Sequence, residues 1–383
     1  MPIYLDYAAS NPIDPRVRTA VEAALAMTGN PSSTHSAGRT ARATVDVARK
    51  SVASLLNVDP SEIIFTSGGS ESNVSALVGA FLAAKHQVPA GTRLHIISTP
   101  LEHPSVSETL ARLAEDEGAV IDWLPVDKAG RVSAVDVGAA LTPETVLVSV
   151  MWVNNILGSI QPIADIGALV ARERGRRGKG LPILFHSDAV QAIATLPVDP
   201  AAVGVDLLSL SGHKLYGPKG IGALYLKRGL SLPSLITGGG QESGRRSGTE
   251  NVPGIIGLGR AAEILVLERE ADRRKGDELK LRLAAELRKR GYNLLSPEDA
   301  VPTIVYAVSQ KEDGDTLALK LDVAGLSVSS GAACDSGKRT ASPVLLAAFG
   351  EKIALRGGFR ASFGRFTTEA DIDALLNALD SLK

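Results

Sequence analysis

Ile183-Leu184-Phe185-His186-Ser187-Asp188 and Leu207-Leu208-Ser209-Leu210-Ser211-Gly212-His213-Lys214 decide the fold. Each is a short apolar run that ends in polar residues able to do chemistry. Lys214 follows Asp188 by 26 residues, an interval that spans one βα crossover plus a strand. The spacing therefore predicts two neighbouring parallel strands whose ends lie on one side of a sheet, where open α/β sheets place their ligands.

The same rhythm extends in both directions. Apolar runs at residues 63–66, 94–98, 119–123 and 146–150 read as further strands, with 223–226 as an additional one. Residues 73–85, 105–117 and 163–174 place apolar side chains three and four apart, which predicts helices on the sheet faces. The expected fold is α/β with a mostly parallel sheet. After Gly248 the pattern changes to a charged, Ala/Leu-rich helical stretch from Pro253 to about Arg290, with Gly276 as a possible break. Short β-like and helical pieces follow, as in a smaller α+β domain. The basic run at residues 172–180 reads as a solvated surface loop, and His186 as a satisfied core or surface histidine.

Composition narrows the function. The 383 residues are 44% hydrophobic and 22% charged, which excludes general disorder and suggests a second core. A formal charge of -1 provides no summed field for nucleic acid or an anionic membrane. No apolar run approaches the roughly 18–20 residues that span a bilayer, and the N-terminus lacks a basic-then-apolar signal, so the expected compartment is the cytoplasm. His, Cys and carboxylate residues show no metal-ligand spacing, so no metal is expected. The single cysteine, Cys334, cannot form an internal disulfide. It sits in the small and polar segment Ser329-Ser330-Gly331-Ala332-Ala333-Cys334-Asp335-Ser336-Gly337-Lys338-Arg339, which suits a working thiol on a mobile loop better than a core residue.

Ser67-Gly68-Gly69-Ser70 follows a strand and opens a helix, so free backbone N–H groups converge where a phosphate can sit. It matches neither the dinucleotide fingerprint nor a Walker loop, which favours a cofactor with one phosphate. Pyridoxal phosphate needs a lysine for a Schiff base and a carboxylate for its ring nitrogen, and Lys214 and Asp188 are such a pair.

Six blocks, in order, extend this reading over nearly the whole chain: Tyr4-Leu5-Asp6-Tyr7-Ala8-Ala9-Ser10-Asn11-Pro12, Gly29-Asn30-Pro31-Ser32-Ser33-Thr34-His35, Phe65-Thr66-Ser67-Gly68-Gly69-Ser70-Glu71-Ser72-Asn73, residues 211–220, Arg246-Ser247-Gly248-Thr249, and Ser329 to Cys334. With them the chain resembles the class V aminotransferase family, and within it the cysteine desulfurases (the NifS/IscS-like enzymes). The resemblance implies a fold-type I pyridoxal-phosphate enzyme with a large cofactor domain over residues 12–252. Residues 1–11 and 253–383 would form a small domain carrying the cysteine loop.

Carried over by residue, the resemblance assigns Lys214 to the covalent link, Asp188 to the ring nitrogen, Gln191 to the ring phenolate and His103 to the ring face. Gly69, Ser70, Ser211 and His213 would hold the phosphate. Thr249 would reach it from the other subunit, which implies a homodimer. Asn155 and Arg360 would grip the substrate carboxylate, a task suited to the planar arginine fork. Cys334 would take sulfur from L-cysteine as a persulfide, leaving L-alanine, and deliver it to an acceptor or scaffold protein for iron-sulfur or other sulfur-cofactor assembly.

The chain departs from the family pattern at Asn154-Asn155-Ile156, where an acid is usual at the third position, at Gln241, and after Cys334 at Asp335-Ser336 and Ala341-Ser342-Pro343. Two other readings stand beside the desulfurase. One is an aminotransferase or other lyase on the same fold without persulfide chemistry; the other is a pyridoxal-phosphate-binding regulatory protein without turnover.

Overall fold

The computed structural model describes residues 2–330 and 341–382. Twelve strands are present among them: β1 (Ile3–Tyr4), β2 (Ile63–Thr66), β3 (His95–Ser98), β4 (Val120–Trp123), β5 (Thr145–Ser149), β6 (Leu184–Asp188), β7 (Leu207–Ser211), β8 (Gly222–Leu226), β9 (Asn293–Leu294), β10 (Ile304–Val308), β11 (Leu326–Ser327) and β12 (Phe359–Ser362). The expected runs all form strands of one seven-stranded sheet, ordered β2-β8-β7-β6-β5-β3-β4. Every pairing between β7 and β4 is parallel, and β8 runs antiparallel to both its neighbours.

The strands read as unbroken apolar runs because helices cover both faces. Ile96, Leu147 and Leu207 point into one core with Leu77, Phe81 and Leu110. Their successors Ile97, Val148 and Leu208 point into the other, with Val45, Val52 and Leu258. Side chains alternate faces with a period of two, so each run feeds both cores.

The helix Val252–Lys289 is continuous over 38 residues, about 57 Å at 1.5 Å per residue. Gly276 does not break it. A Cβ there would come within 3.2 Å of Pro302 Cβ, so this glycine permits close packing. The first half of the helix packs Ile255, Leu258 and Leu265 on the large sheet. Its second half places Leu279, Leu283 and Leu287 in a separate core with Val305, Phe359 and Leu376. One helix thus joins two cores. The second core surrounds the antiparallel sheet β12-β10-β9, and β1 pairs with β11 beside it. The N-terminus and the C-terminal third are therefore joined through backbone hydrogen bonds.

Two local expectations are corrected. The basic run is no solvated loop, because the helix Ile163–Arg177 continues through most of it. Arg177 donates to the carbonyls of Thr145 and Thr142, each at 2.6 Å, and Arg174 donates to Ile183 O at 2.9 Å. These guanidiniums satisfy carbonyls around the starts of strands. The connection from β6 to β7 contains turns and no helix, yet it buries Ala192, Ile193 and Val198 against the sheet.

Candidate active site

Parallel pairing brings the C-terminal ends of β6 and β7 together, with Asp188 opposite Ser209. A cavity of about 340 Å³ opens there. Of the expected site residues it gathers Gly69, Ser70, His103, Asn155, Asp188, Gln191, Ser211, His213, Lys214 and Arg360. Thr249 is not among its walls; it is exposed and lines a separate cleft with Ser67, Gly220 and Arg246. Cys334 lies outside the described residues.

Ser211 ends β7, and a single tight turn, Gly212–Lys214, follows. Gly212 is required there because a Cβ would approach Pro218 O to 2.8 Å. Asn11 fixes the turn with two donations: its N–H to His213 O at 2.9 Å and its side-chain amide to Lys214 O at 2.7 Å. The Lys214 ammonium donates to Ala8 O, and to Ala9 O at 2.9 Å. Burial, aided by the Arg360 charge, lowers its pKa to about 8. About a tenth of such an amine is neutral at pH 7, against fewer than one in a thousand for a free lysine.

Asp188 is buried and doubly fixed. Its Oδ2 accepts from the Asn73 amide at 2.7 Å, and its Oδ1 from Val190 N–H at 2.9 Å. His103 caps the helix Pro104–Glu117, with Nδ1 accepting from Ser105 N–H at 3.1 Å. Enclosure lowers the His103 pKa, with Lys214 acting in the same direction and Asp188 against both. His213 falls to about 4, mainly by burial and then through Lys214 and Lys219. Both shifts favour the neutral imidazole at pH 7.

The helix Gly69–Lys85 starts at Gly68, whose φ of 156° suits glycine, and no side chain caps it. Its first amides face the same cavity as Ser70 and Ser211. A Cβ on Gly69 would stand 2.9 Å from Val190 Cγ2, so the turn lies close against the strand end. Across the pocket, Arg360 donates to Asn155 O and Asp6 Oδ1, each at 2.7 Å. Its Nε is buried and has no hydrogen-bond partner.

Several contributors went unassigned in the sequence. Asn73 and the Ala8 and Ala9 carbonyls lie within the quoted blocks, but nothing local shows that they meet Asp188 and Lys214. Glu102 is buried beside His103, accepts from Met151 N–H at 2.7 Å and has its other oxygen unpartnered. Burial raises its pKa well above the usual carboxylate value, which favours the neutral acid. Its one signal was an acid next to an expected site histidine. Ile156, where the family pattern has an acid, packs into an apolar cluster with Leu101, Met151 and Leu345.

A lysine and a carboxylate at adjacent strand ends, facing an uncapped helix start in a doubly covered sheet, are the groups that a pyridoxal-phosphate enzyme requires. The chain belongs to the aminotransferase class-V family, whose model matches residues 3–375. It is 42% identical to the putative cysteine desulfurase IscS 1 of Bacillus subtilis, across 97% of this chain and 95% of the relative. It is 39% identical to the cysteine desulfurase IscS of Methanosarcina thermophila, across 99% and 91%. Among solved structures, a NifS-like protein covers 100% of this chain and 99% of its own, with a TM-score of 0.91 and 33% identity. SspA, solved in complex with cysteine, covers 95% and 99%, with a TM-score of 0.80 and 34% identity.

Proposed function

We propose that the protein is a pyridoxal-phosphate-dependent cysteine desulfurase, converting L-cysteine to L-alanine and passing the sulfur through Cys334 to an acceptor. The observation that carries this reading is the single pocket that joins Lys214, Asp188, the Gly69 turn and Arg360. It occurs in a chain 39–42% identical to cysteine desulfurases over nearly its full length.

The residues suit the cofactor. Arg360 Nε and Asn73 Oδ1 are buried polar atoms without partners on residues that line the pocket, so hydrogen-bonding capacity is left there for a ligand. The donors divide by chemistry: amides and hydroxyls at Gly69, Ser70 and Ser211 for a phosphate, a carboxylate at Asp188 for a ring nitrogen, and an amine at Lys214 for an aldehyde. Gln191 and His103 would hold the ring, and His213 the phosphate. Pyridoxal phosphate, when bound, supplies an electron sink for the substrate's Cα.

The chain's own groups do the rest. Arg360 and Asn155 orient the substrate carboxylate. The Lys214 amine, largely stripped of water, takes and returns protons at the substrate carbon atoms. The Cys334 thiolate attacks the substrate sulfur: an S–S bond forms, the C–S bond breaks with its electron pair left on carbon, and a proton converts that carbon to the methyl group of alanine. Ser329, shortly before that cysteine, is hydrogen-bonded backbone to backbone with Arg360.

The homodimer, with Thr249 reaching the partner's phosphate, belongs to this proposal and is supported by the exposure of Thr249 outside its own chain's cavity. So do a small domain comprising residues 1–11 and 253–383, a cytoplasmic location, and delivery to a protein that assembles iron-sulfur clusters or another sulfur cofactor. Among the described residues, no helix is long and apolar enough to cross a membrane. Incubating the protein with L-cysteine and a thiol reductant, and measuring alanine and sulfide together, tests the reaction. Equal yields of both are expected. Pyruvate with sulfide, or amino-group transfer without sulfide, would replace it with another reaction of the class.

A further inference from the structure

We propose that Asp6 is a positioning residue for substrate recognition, holding the Arg360 guanidinium ready for an α-carboxylate; this rests on the reading of Arg360 as the carboxylate-binding residue. The side chain of Arg360 is 6% exposed and shares its pocket with Lys214. Two cations in so little water need a fixed negative partner. Asp6 is that partner, and it reaches Arg360 across 354 residues of sequence.

The contact geometry separates positioning from blocking. A guanidinium carries five N–H donors. Asp6 engages Nη2 with one oxygen, and Asn155 O engages Nη1. Those two bonds, one on each terminal nitrogen, fix the plane of the group. Nε remains buried and unpartnered, and the terminal nitrogens keep further N–H groups. An incoming carboxylate can therefore form its paired hydrogen bonds while Asp6 stays in place.

Asp6 is itself held firmly. Its residue pairs with Ser362 two positions beyond Arg360, Ser362 N–H donates to Leu5 O at 2.8 Å, and Ala8 N–H donates to Ser362 Oγ at 2.9 Å. Two residues after Asp6, Ala8 O accepts from both Lys214 and the Gln191 amide. One short segment thus orients the arginine for the substrate carboxylate and the lysine for its amine end.

The test uses the cofactor-loaded enzyme and follows ligand binding by the change in cofactor absorbance. L-Alanine carries the carboxylate; 2-aminoethanethiol carries an amine and a thiol without it. Asp6→Ala is expected to raise the L-alanine Kd and the L-cysteine KM about tenfold or more while kcat changes less than about threefold. The 2-aminoethanethiol Kd should stay unchanged, and Asp6→Asn, which keeps an acceptor, should recover most of the loss. An unchanged or lowered L-alanine Kd in Asp6→Ala overturns the proposal, as does an equal weakening of 2-aminoethanethiol, which would mark a merely structural residue. Arg360→Ala separates the two levels. If it leaves L-alanine binding intact, the carboxylate reading itself falls; if it alone weakens that binding, only the role of Asp6 falls.

Discussion

Asn73 donates one side-chain amide to Asp188 Oδ2 at 2.7 Å and to Ser105 Oγ at 2.9 Å. Ser105 Oγ in turn lies 2.8 Å from His103 Nδ1. A single asparagine on the helix that opens at Gly69 therefore links the carboxylate to the imidazole, the two groups expected to hold the cofactor ring. Such outer contacts fix the groups that touch the ligand.

Asp188→Asn keeps the shape of the side chain and removes its charge. Cofactor binding is expected to persist while alanine production falls about a hundredfold or more, because the charge that would keep the ring nitrogen protonated is gone. Asn73→Ala leaves that charge but releases Asp188 and Ser105, and a loss of about tenfold is expected. Steady-state alanine formation, with cofactor content measured by absorbance, checks both. Wild-type rates for Asp188→Asn would remove it from the mechanism.

The neutral fraction of Lys214 sets how fast the cofactor-free protein captures pyridoxal phosphate. Its pKa of about 8 lies below the ordinary 10.5, so the capture rate should rise with pH to a midpoint near 8. Arg360 helps to lower that value, and Arg360→Gln should move the midpoint upward. Absorbance-monitored capture between pH 6.5 and 10 measures both. A wild-type midpoint near 10, or borohydride reduction that tags a different lysine, would refute the assignment.

Thr249 stands outside its own chain's cavity, which makes a complementation test decisive. In a dimer of one Lys214→Ala chain and one Thr249→Ala chain, a threonine serving the partner leaves one site with both defects and one with neither. About half the wild-type activity is then expected. An inactive mixed dimer would place both residues in the same site of one chain.

The large sheet was legible because most of its strands bury both faces, the edge strand β4 excepted, which leaves uninterrupted apolar runs such as those containing Ile96-Ile97 and Leu207-Leu208. Asp188 and Lys214 were legible because each sits at a strand end, where local sequence carries the geometry. Asp6, Asn73 and Glu102 were not, since their partners are set by tertiary packing: residue 6 meets residue 360 through a sheet edge, and no periodic pattern records that. The basic run misled for a related reason. Arg177 looks solvated in sequence, yet its destination is the pair of carbonyls at Thr142 and Thr145. Gly276 looked like a helix break because a glycine needed for contact with Pro302 has the same letter as one needed for a turn.

His186 is fully buried between Ser149 Oγ at 2.9 Å and Ser209 Oγ at 3.1 Å, and burial lowers its pKa to about 3. The folded chain holds it neutral, while the unfolded chain binds a proton below about pH 6.5. Its share of stability is thus complete above pH 6.5 and is lost as pH falls toward 3, at about 1.4 kcal/mol per pH unit for one proton. His186→Gln should lose less stability than the wild type between pH 6.5 and 4.5, by about 2–3 kcal/mol. Denaturant midpoints at both pH values measure this, and equal losses would show that another group controls acid sensitivity.

Cys334 distinguishes a desulfurase from the other reactions this pocket could support, since lysine, aspartate and arginine serve them all and only sulfur transfer needs a thiol. Cys334→Ala should bind the cofactor normally and still bind L-cysteine, because Lys214, Asn155 and Arg360 are untouched. It should release almost no sulfide, for want of a nucleophile to accept the sulfur. Alkylating this sole cysteine in the wild type should have the same effect. Mass spectrometry after brief exposure to L-cysteine, without reductant, should show one extra sulfur on the peptide that contains Cys334 and none on the alanine variant. Cofactor loading matters to the control: a variant that failed to bind pyridoxal phosphate would lose activity for an unrelated reason, so the absorbance band must be equal in both proteins. Sulfide and pyruvate formed by Cys334→Ala at the wild-type rate, with no persulfide trapped, would assign the pocket to a lyase that expels sulfide directly.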